Sequence, residues 1–197
     1  MGQRQNSGMR FLFGFGLWQT RLPGVLFGGG VIALIYVIAL QLFNSRRVAF
    51  FAALFLSLDP SFFWTARSGR MDAQCTFLEL LGVLLYLQSE AHPKRRSFWL
   101  AASGLSVGLA GITHPIALWW AVALWLLIVL LSREGKLMNL FLFGGFAGLP
   151  LALWVTYALQ WPGLFVRQFL SHAFSHLVKG PMDAYFIKGA SEILEFY

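Results

Sequence analysis

Long apolar stretches alternate with short polar stretches along most of this chain, and the polar stretches separate candidate membrane spans. A helical span needs about 20 apolar residues. The apolar stretches are residues 24–43, 48–63, 73–87, 98–131 and 137–159. We therefore predict an all-α fold, that of a polytopic helical membrane protein, with a transmembrane domain over residues 24–159.

Prolines interrupt several of these stretches. Residues 98–131 carry no formal charge, but as one helix they would be about 51 Å long, against a hydrocarbon core of about 30 Å. Because Pro115 disfavours helical geometry at His114, we predict two short spans joined in a hairpin there, and about six transmembrane helices altogether. Asp59–Pro60 predicts a helix-ending turn, and Pro150 predicts a kink in the last span.

The composition supports the same class of protein. Apolar residues make up 58% of the chain and charged residues 12%, whereas soluble domains are about 25% charged. This excludes a soluble globular enzyme and a nucleic-acid-binding protein, and the single cysteine excludes a disulfide framework. The net charge of +7 is typical of a membrane protein with basic cytoplasmic loops.

The lysines and arginines of the short loops predict the orientation in the membrane, because cytoplasmic loops carry an excess of both. Residues 44–47, 89–97 and 132–136 fall on one side of the predicted spans, and we expect them to be cytoplasmic. Residues 66–72 fall on the opposite, outer side. We expect the protein to be a multi-pass protein of the cell (plasma) membrane.

The two ends of the chain differ from its apolar middle. Residues 1–23 contain an apolar run that is too short to span, and we predict an interfacial segment on the outer side. Residues 160–197 are mixed and aromatic, and we predict an amphipathic or loop segment, also on the outer side. Two pairs of glycines with GxxxG spacing, Gly104/Gly108 and Gly144/Gly148, predict close helix packing.

Charged residues inside a membrane domain are costly, so they are candidates for function. Five of them lie within residues 59–79, and these are Asp59, Arg67, Arg70, Asp72 and Glu79. On a helix that starts near Asp72, Glu79 would lie on the same face as Asp72, and both side chains could line a polar cavity. Arg67 and Arg70 at its mouth could hold a phosphate through their guanidinium groups. A salt-bridged outer loop explains the same residues without a function.

Other residues give weaker signals. His114 could face the same cavity, although a histidine before a proline is also typical of a turn. His172 and His176 are four residues apart, but no third ligand is near, so we predict no metal site. No glycine-rich phosphate motif precedes a lysine, and we predict no nucleotide site.

Four segments in a fixed order carry a resemblance to a known family. They are Arg21–Phe43, Arg47–Pro60, the sequence Ala66-Arg-Ser-Gly-Arg-Met-Asp72 and the sequence Gly108-Leu-Ala-Gly-Ile-Thr-His-Pro115. Together they resemble the multi-spanning GT-C glycosyltransferases, above all the branch of protein O-mannosyltransferases and aminoarabinose transferases. The resemblance covers roughly residues 18–170.

The resemblance implies a function and roles for individual residues. The donor would be a polyprenyl-phosphate sugar, and the acceptor a protein, lipid or glycan at the outer face. Asp72 matches the family's acidic residue at the active cavity, and Arg67, Arg70 and His114 match positions beside the donor phosphate. The charge pattern, and not the resemblance, is the ground for expecting Asp59 and Glu79 to line the cavity. A divalent cation suits an aspartate and a phosphate, but nothing in the sequence requires one, and the cofactor stays unknown.

The resemblance also implies that part of the family's machinery lies outside these residues. The family's first span and a large outer loop with the catalytic aspartate would precede Arg21, where no acidic residue is found. We therefore expect an N- and C-terminally truncated fragment that is inactive alone, with Asp72 as the remaining catalytic carboxylate. Two alternatives stay open: an ion- or proton-coupled transporter subunit with Asp72 and Glu79 as relay carboxylates, and a non-catalytic membrane scaffold.

Overall fold

The computed structural model of the protein describes residues 17–68, 70–132, 135–163 and 165–166, with side chains from residue 21 onwards. Most of the two predicted outer segments, and the pair His172 and His176, lie outside these residues.

The described residues form seven α-helices and one short 3₁₀ helix, and they contain no strand. The α-helices are α1 (Leu17–Phe43), α2 (Arg46–Leu58), α3 (Pro60–Arg67), α4 (Asp72–Ala91), α5 (Arg96–Thr113), α6 (Ala117–Leu131) and α7 (Lys136–Ala158). The 3₁₀ helix, Pro93–Arg95, lies between α4 and α5. Each apolar stretch of the sequence corresponds to one helix or to two consecutive helices, so the all-α prediction is confirmed.

Length and composition allow two of the described helices to cross a membrane. These are Arg21–Phe43 of α1 and Lys136–Ala158 of α7, each of 23 residues. The pair α2 and α3 would make a third span if its 66° bend is a break within one crossing. Helix α6 is apolar but shorter, with 15 residues.

The bend between α2 and α3 comes from the capping chemistry of Asp59 and Pro60. Asp59 Oδ1 accepts hydrogen bonds from the backbone N–H groups of Ser61 (2.7 Å) and Phe62 (3.0 Å). Pro60 occupies the first turn of α3, where a missing N–H costs nothing. The predicted helix-ending turn is confirmed, and Asp59 acts in it as the N-cap of α3.

The break between α5 and α6 lies where the sequence predicted it. Helix α5 ends at Thr113, and His114 has an extended backbone with φ −151° and ψ 131°. Helix α6 then begins at Ala117 and packs against α5. Helix α7 continues through Pro150 as one helix, and the predicted kink there stays a prediction.

Helix α5 packs against α4 through small side chains and two hydroxyl groups. Ser103 Oγ donates to the carbonyl oxygen of Gly82 at 2.7 Å, and Ser106 Oγ donates to that of Leu78 at 2.8 Å. Interhelical hydrogen bonds of this kind contribute about 0.6–2 kcal/mol each in membrane proteins. Towards α6 and α7 the contact is apolar, in a buried cluster of Tyr86, Leu100, Val107, Leu124, Ile128 and Phe143.

The glycines of α5 bring its backbone against that of α7. A Cβ added at Gly104 or Gly108 would meet the carbonyl oxygen of Phe143 or Ala147, respectively. The prediction that this pair packs closely is therefore confirmed. The same prediction for Gly144 and Gly148 is wrong, because a Cβ there meets no described atom within 4 Å. Residues one position earlier make the contact, so both glycines lie off the α5-facing side.

Polar contacts hold several helix ends together at one end of the bundle. Gln88 Nε2, near the end of α4, donates to Gln41 Oε1, near the end of α1, at 3.4 Å. Ser132, which follows α6, accepts from Arg96 Nη2 of α5 at 3.0 Å and from Asn139 Nδ2 of α7 at 3.4 Å. The three basic loops of the sequence therefore lie at the same end, as their predicted common side requires.

The first prediction concerns the contact between α5 and α7. We expect Gly108→Ala to destabilise the protein by about 1–3 kcal/mol, because the new methyl group overpacks against the Ala147 backbone. Gly148→Ala is the matched control and should be neutral or slightly stabilising, since alanine favours a helix over glycine. Unfolding titrations in mixed micelles measure both changes. Equal losses in the two variants would contradict this packing.

The second prediction concerns orientation. We expect an impermeant thiol reagent added outside intact cells to label Ser68→Cys but not Arg95→Cys, in a Cys75→Ala background. The physical reason is the basic charge at the Arg95 end, which favours the cytoplasmic side. Labelling of position 95 from outside would reverse the topology.

Candidate functional site

A cavity of about 480 Å³ lies at the end of the bundle opposite the basic loops. Three segments form it: the second and third turns of α1, the start of α4 with the residues before it, and the turn after α5. The residues that line it are Pro23, Gly24, Phe27, Arg70, Met71, Asp72, Gln74 and His114. Three of the residues proposed from the sequence, which are Arg70, Asp72 and His114, thus share one cavity.

Arg70 and Asp72 form an ion pair at the rim of this cavity. Arg70 Nε lies 2.8 Å from Asp72 Oδ2, and the two side chains are 71% and 31% exposed, respectively. An exposed pair of this kind contributes only about 0–1 kcal/mol. The Arg70 guanidinium can therefore leave Asp72 for a stronger anionic ligand at little cost. Asp72 also lies in the first turn of α4, where a carboxylate is favoured by the helix dipole.

His114 is oriented by the turn that ends α5. Its Nδ1 accepts a hydrogen bond from the backbone N–H of Ile116 at 3.2 Å. The hydrogen bond to one ring nitrogen decides which nitrogen carries the proton. With Nδ1 as the acceptor, the neutral ring has its proton on Nε2 and can donate one hydrogen bond from that atom.

Glu79 lies in the interior and is not among the residues that line the cavity. Glu79 is 5% exposed, and its Oε1 accepts a weak hydrogen bond from Cys75 Sγ at 3.4 Å. Cys75 in turn lies 3.8 Å from the carbonyl oxygen of Ala110.

Arg67 and Asp59 lie away from the cavity. Arg67, in the last turn of α3, places its guanidinium 5.1 Å from the centre of the Phe63 ring, a cation–π contact. It lines a separate, smaller cavity of about 170 Å³ between α1 and the α2–α3 pair. Asp59 caps α3 and lines neither cavity. The sequence grouped Arg67 with Arg70, and the structure separates them.

Phe27 and Gln74 line the cavity but were not found from the sequence. Gln74 gave a usable signal, since it is a polar residue two positions after Asp72 in a predicted membrane span. Phe27 gave none, because one phenylalanine in an apolar helix looks like any other. Its ring packs against that of Phe77 at a centroid distance of 5.3 Å, which joins α1 to α4 beside the cavity.

The described residues contain no cluster of three or more side chains suited to hold a metal ion. Asp72 offers carboxylate oxygens, but Arg70 already engages one of them. Hard divalent cations take about six or more oxygen ligands, or retain several waters. The described cavity residues therefore do not form a donor set for a cation, and we assign no chemical step to one.

A comparison with known families matches most of the chain. The model of the family described as dolichyl-phosphate-mannose-protein mannosyltransferase matches residues 7–161, which include every residue that lines the cavity. No curated protein and no solved structure matches the chain. The family consists of polytopic helical membrane proteins, in agreement with the apolar helices of this chain, and the resemblance to GT-C glycosyltransferases is confirmed. The chain is thus an integral membrane protein, and it belongs to the dolichyl-phosphate-mannose-protein mannosyltransferase family of GT-C membrane glycosyltransferases.

Proposed function

We propose that this chain binds a polyprenyl-phosphate sugar in the cavity of Arg70, Asp72 and His114 and serves the transfer of that sugar to an acceptor at the outer face. The convergence of these three side chains at one cavity carries the proposal. The family's description supports mannose as the sugar, a dolichyl-type phosphate as its carrier and a protein as the acceptor. Membership of this family favours a glycosyltransferase over a transporter subunit.

Arg70 and His114 are suited to bind the donor phosphate. A guanidinium offers a fork of N–H donors that matches phosphate oxygens, and such charge-assisted bonds are about twice as strong as neutral ones. His114 adds a single donor at Nε2, because its Nδ1 is engaged by the backbone of Ile116. As the bond to the sugar breaks, charge grows on the leaving phosphate, and these donors would stabilise it.

Asp72 is the only carboxylate among the described residues that line the cavity. Its Oδ2 holds Arg70, which leaves Oδ1 to accept a proton. In the proposed step an acceptor hydroxyl gives its proton to Asp72, and its oxygen bonds to the anomeric carbon. The bond from that carbon to the phosphate oxygen breaks with inversion, and the polyprenyl phosphate leaves. General-base catalysis of this kind contributes about 10²–10⁴-fold in rate.

The third prediction compares the contributions of Arg70 and Arg67 to phosphate binding. We expect Arg70→Gln to weaken the binding of polyprenyl phosphate by about tenfold or more, because a hydrogen bond to a charged group is lost. Arg67→Gln removes the same charge from a nearby segment but from a different cavity, and it should change the affinity by less than about twofold, as expected for an exposed charge. Fluorescence titration in detergent micelles measures both affinities. A larger loss in Arg67→Gln would move the phosphate site to the smaller cavity.

The fourth prediction tests the role of Asp72. We expect Asp72→Asn to retain polyprenyl-phosphate binding and to lower sugar transfer by about 10²-fold or more, as loss of a general base does. Transfer of a radiolabelled sugar to an acceptor peptide measures the rate, in a protein in which a first span and outer loop of the family have been joined to this chain. The binding titration serves as the control. Equal losses of binding and transfer would instead make Asp72 a residue that positions Arg70. Unchanged transfer would exclude both roles.

A further inference from the structure

Five basic side chains are exposed at the end of the bundle opposite the cavity. They are Arg46, Arg47, Lys94, Arg95 and Lys136, and we call them the basic surface. Among the described residues the ion pairs are Arg70–Asp72 and Arg96–Glu90. The nearby Arg96 is therefore neutralised by Glu90, whereas no described acidic residue pairs with the basic surface.

The members of the basic surface belong to three separate parts of the chain that the fold brings to one end. The contact of Gln41 with Gln88 joins the end of α1, and hence the start of α2, to the end of α4. The contacts of Ser132 with Arg96 and Asn139 join the start of α5 to the start of α7. The positive charges thus add up on one face of the protein.

Helix stability does not account for these charges. Arg46 and Arg47 lie in the first turn of α2, and Lys136 lies in the first turn of α7. The helix dipole makes the N-terminus of a helix positive, so a cation in the first turn is unfavourable. Neither first turn contains an acidic residue to compensate. The helix dipole therefore gives no reason for Arg46, Arg47 and Lys136 at these positions, whereas a partner outside the fold would.

Large apolar side chains next to the basic surface indicate where that partner lies. Phe50 is 56% exposed one turn after Arg46, Phe98 is 65% exposed just after Lys94 and Arg95, and Leu137 is 72% exposed beside Lys136. Such side chains are stable in hydrocarbon and unfavourable in water. A basic residue one turn from them lies at the depth of the lipid headgroups, where Lys and Arg side chains reach towards phosphate.

We propose that the basic surface binds the headgroups of anionic phospholipids in the membrane leaflet at this end of the protein. Each Lys or Arg near an anionic membrane surface contributes about 1 kcal/mol, equivalent to about fivefold in affinity. The adjoining exposed apolar side chains favour a bilayer over a soluble polyanion as the partner. This binding is independent of the proposed sugar transfer and would persist if that proposal failed.

The test compares variants with two charges removed at opposite ends of the bundle. The readout is the preference of the purified chain for phosphatidylglycerol over phosphatidylcholine of identical acyl chains, measured by native mass spectrometry. R46Q/R47Q should lower this preference by about tenfold or more, and R46K/R47K should retain it. R21Q/R67Q removes two exposed arginines near the cavity end and should retain the preference as well. An equal loss in R21Q/R67Q would assign the effect to net charge and overturn the proposal.

Two measurements on the unaltered chain decide the question even if a variant fails to fold. Raising the salt concentration from 0.1 M to 1 M shortens the Debye length from about 10 Å to about 3 Å. Because this screens the attraction between the basic surface and the headgroups, the preference for the anionic lipid should largely disappear. A preference unchanged by salt overturns the proposal. Soluble glycerol phosphate at millimolar concentration should not displace the lipid, and displacement would indicate a discrete phosphate pocket instead of a bilayer surface.

Discussion

The close packing of α5 against α4 and α7 positions the other helices of the bundle. On one side, Ser103 and Ser106 bond to backbone carbonyls of α4. On another side, Gly104 and Gly108 let the backbone of α7 approach so closely that a methyl group would not fit. Within a membrane there is little hydrophobic driving force between helices, so backbone proximity and interhelical hydrogen bonds must hold them. Helix α5 satisfies both requirements in a single heptad.

The candidate site is a consequence of that packing. Because α5 and α4 lie side by side over most of their lengths, the turn after α5 comes close to the start of α4. His114 thereby joins Arg70 and Asp72, although more than forty positions separate them in the sequence. Helix α1 completes the cavity because Phe27 packs on Phe77 of α4. Arg67, by contrast, does not join this cavity. It lies in α3, after the 66° bend at Asp59, and lines a different cavity.

The two ends of the bundle differ in their polar chemistry, and the difference fits a protein that works at one membrane face. At the cavity end an arginine, a carboxylate and an oriented histidine surround an open space. At the opposite end, Arg96 joins Glu90 and Ser132, while the basic surface around it remains exposed. Both ends use arginine, but Arg96 is partly buried and paired with Glu90, whereas Arg70 and the arginines of the basic surface are exposed to a ligand from outside the fold.

Features that depend only on neighbouring residues could be predicted from the amino-acid sequence. The breaks at Asp59–Pro60 and at His114–Pro115 follow from the missing N–H and fixed φ of proline, and the all-α class follows from apolar stretches that must satisfy their backbone within the membrane. Contacts between distant residues depend on how the helices pack, and they could not be predicted in this way. GxxxG spacing was correct for Gly104 and Gly108 and wrong for Gly144 and Gly148, because spacing identifies a smooth helix face but does not say whether a partner covers it. Arg67 and Arg70 are only three positions apart and look equivalent in the sequence. Because α3 ends at Arg67, however, Arg67 lines the smaller cavity and Arg70 lines the larger one. No local sequence signal identified Phe27 as a cavity residue, because the side of an apolar helix that becomes buried depends on the helices that pack against it.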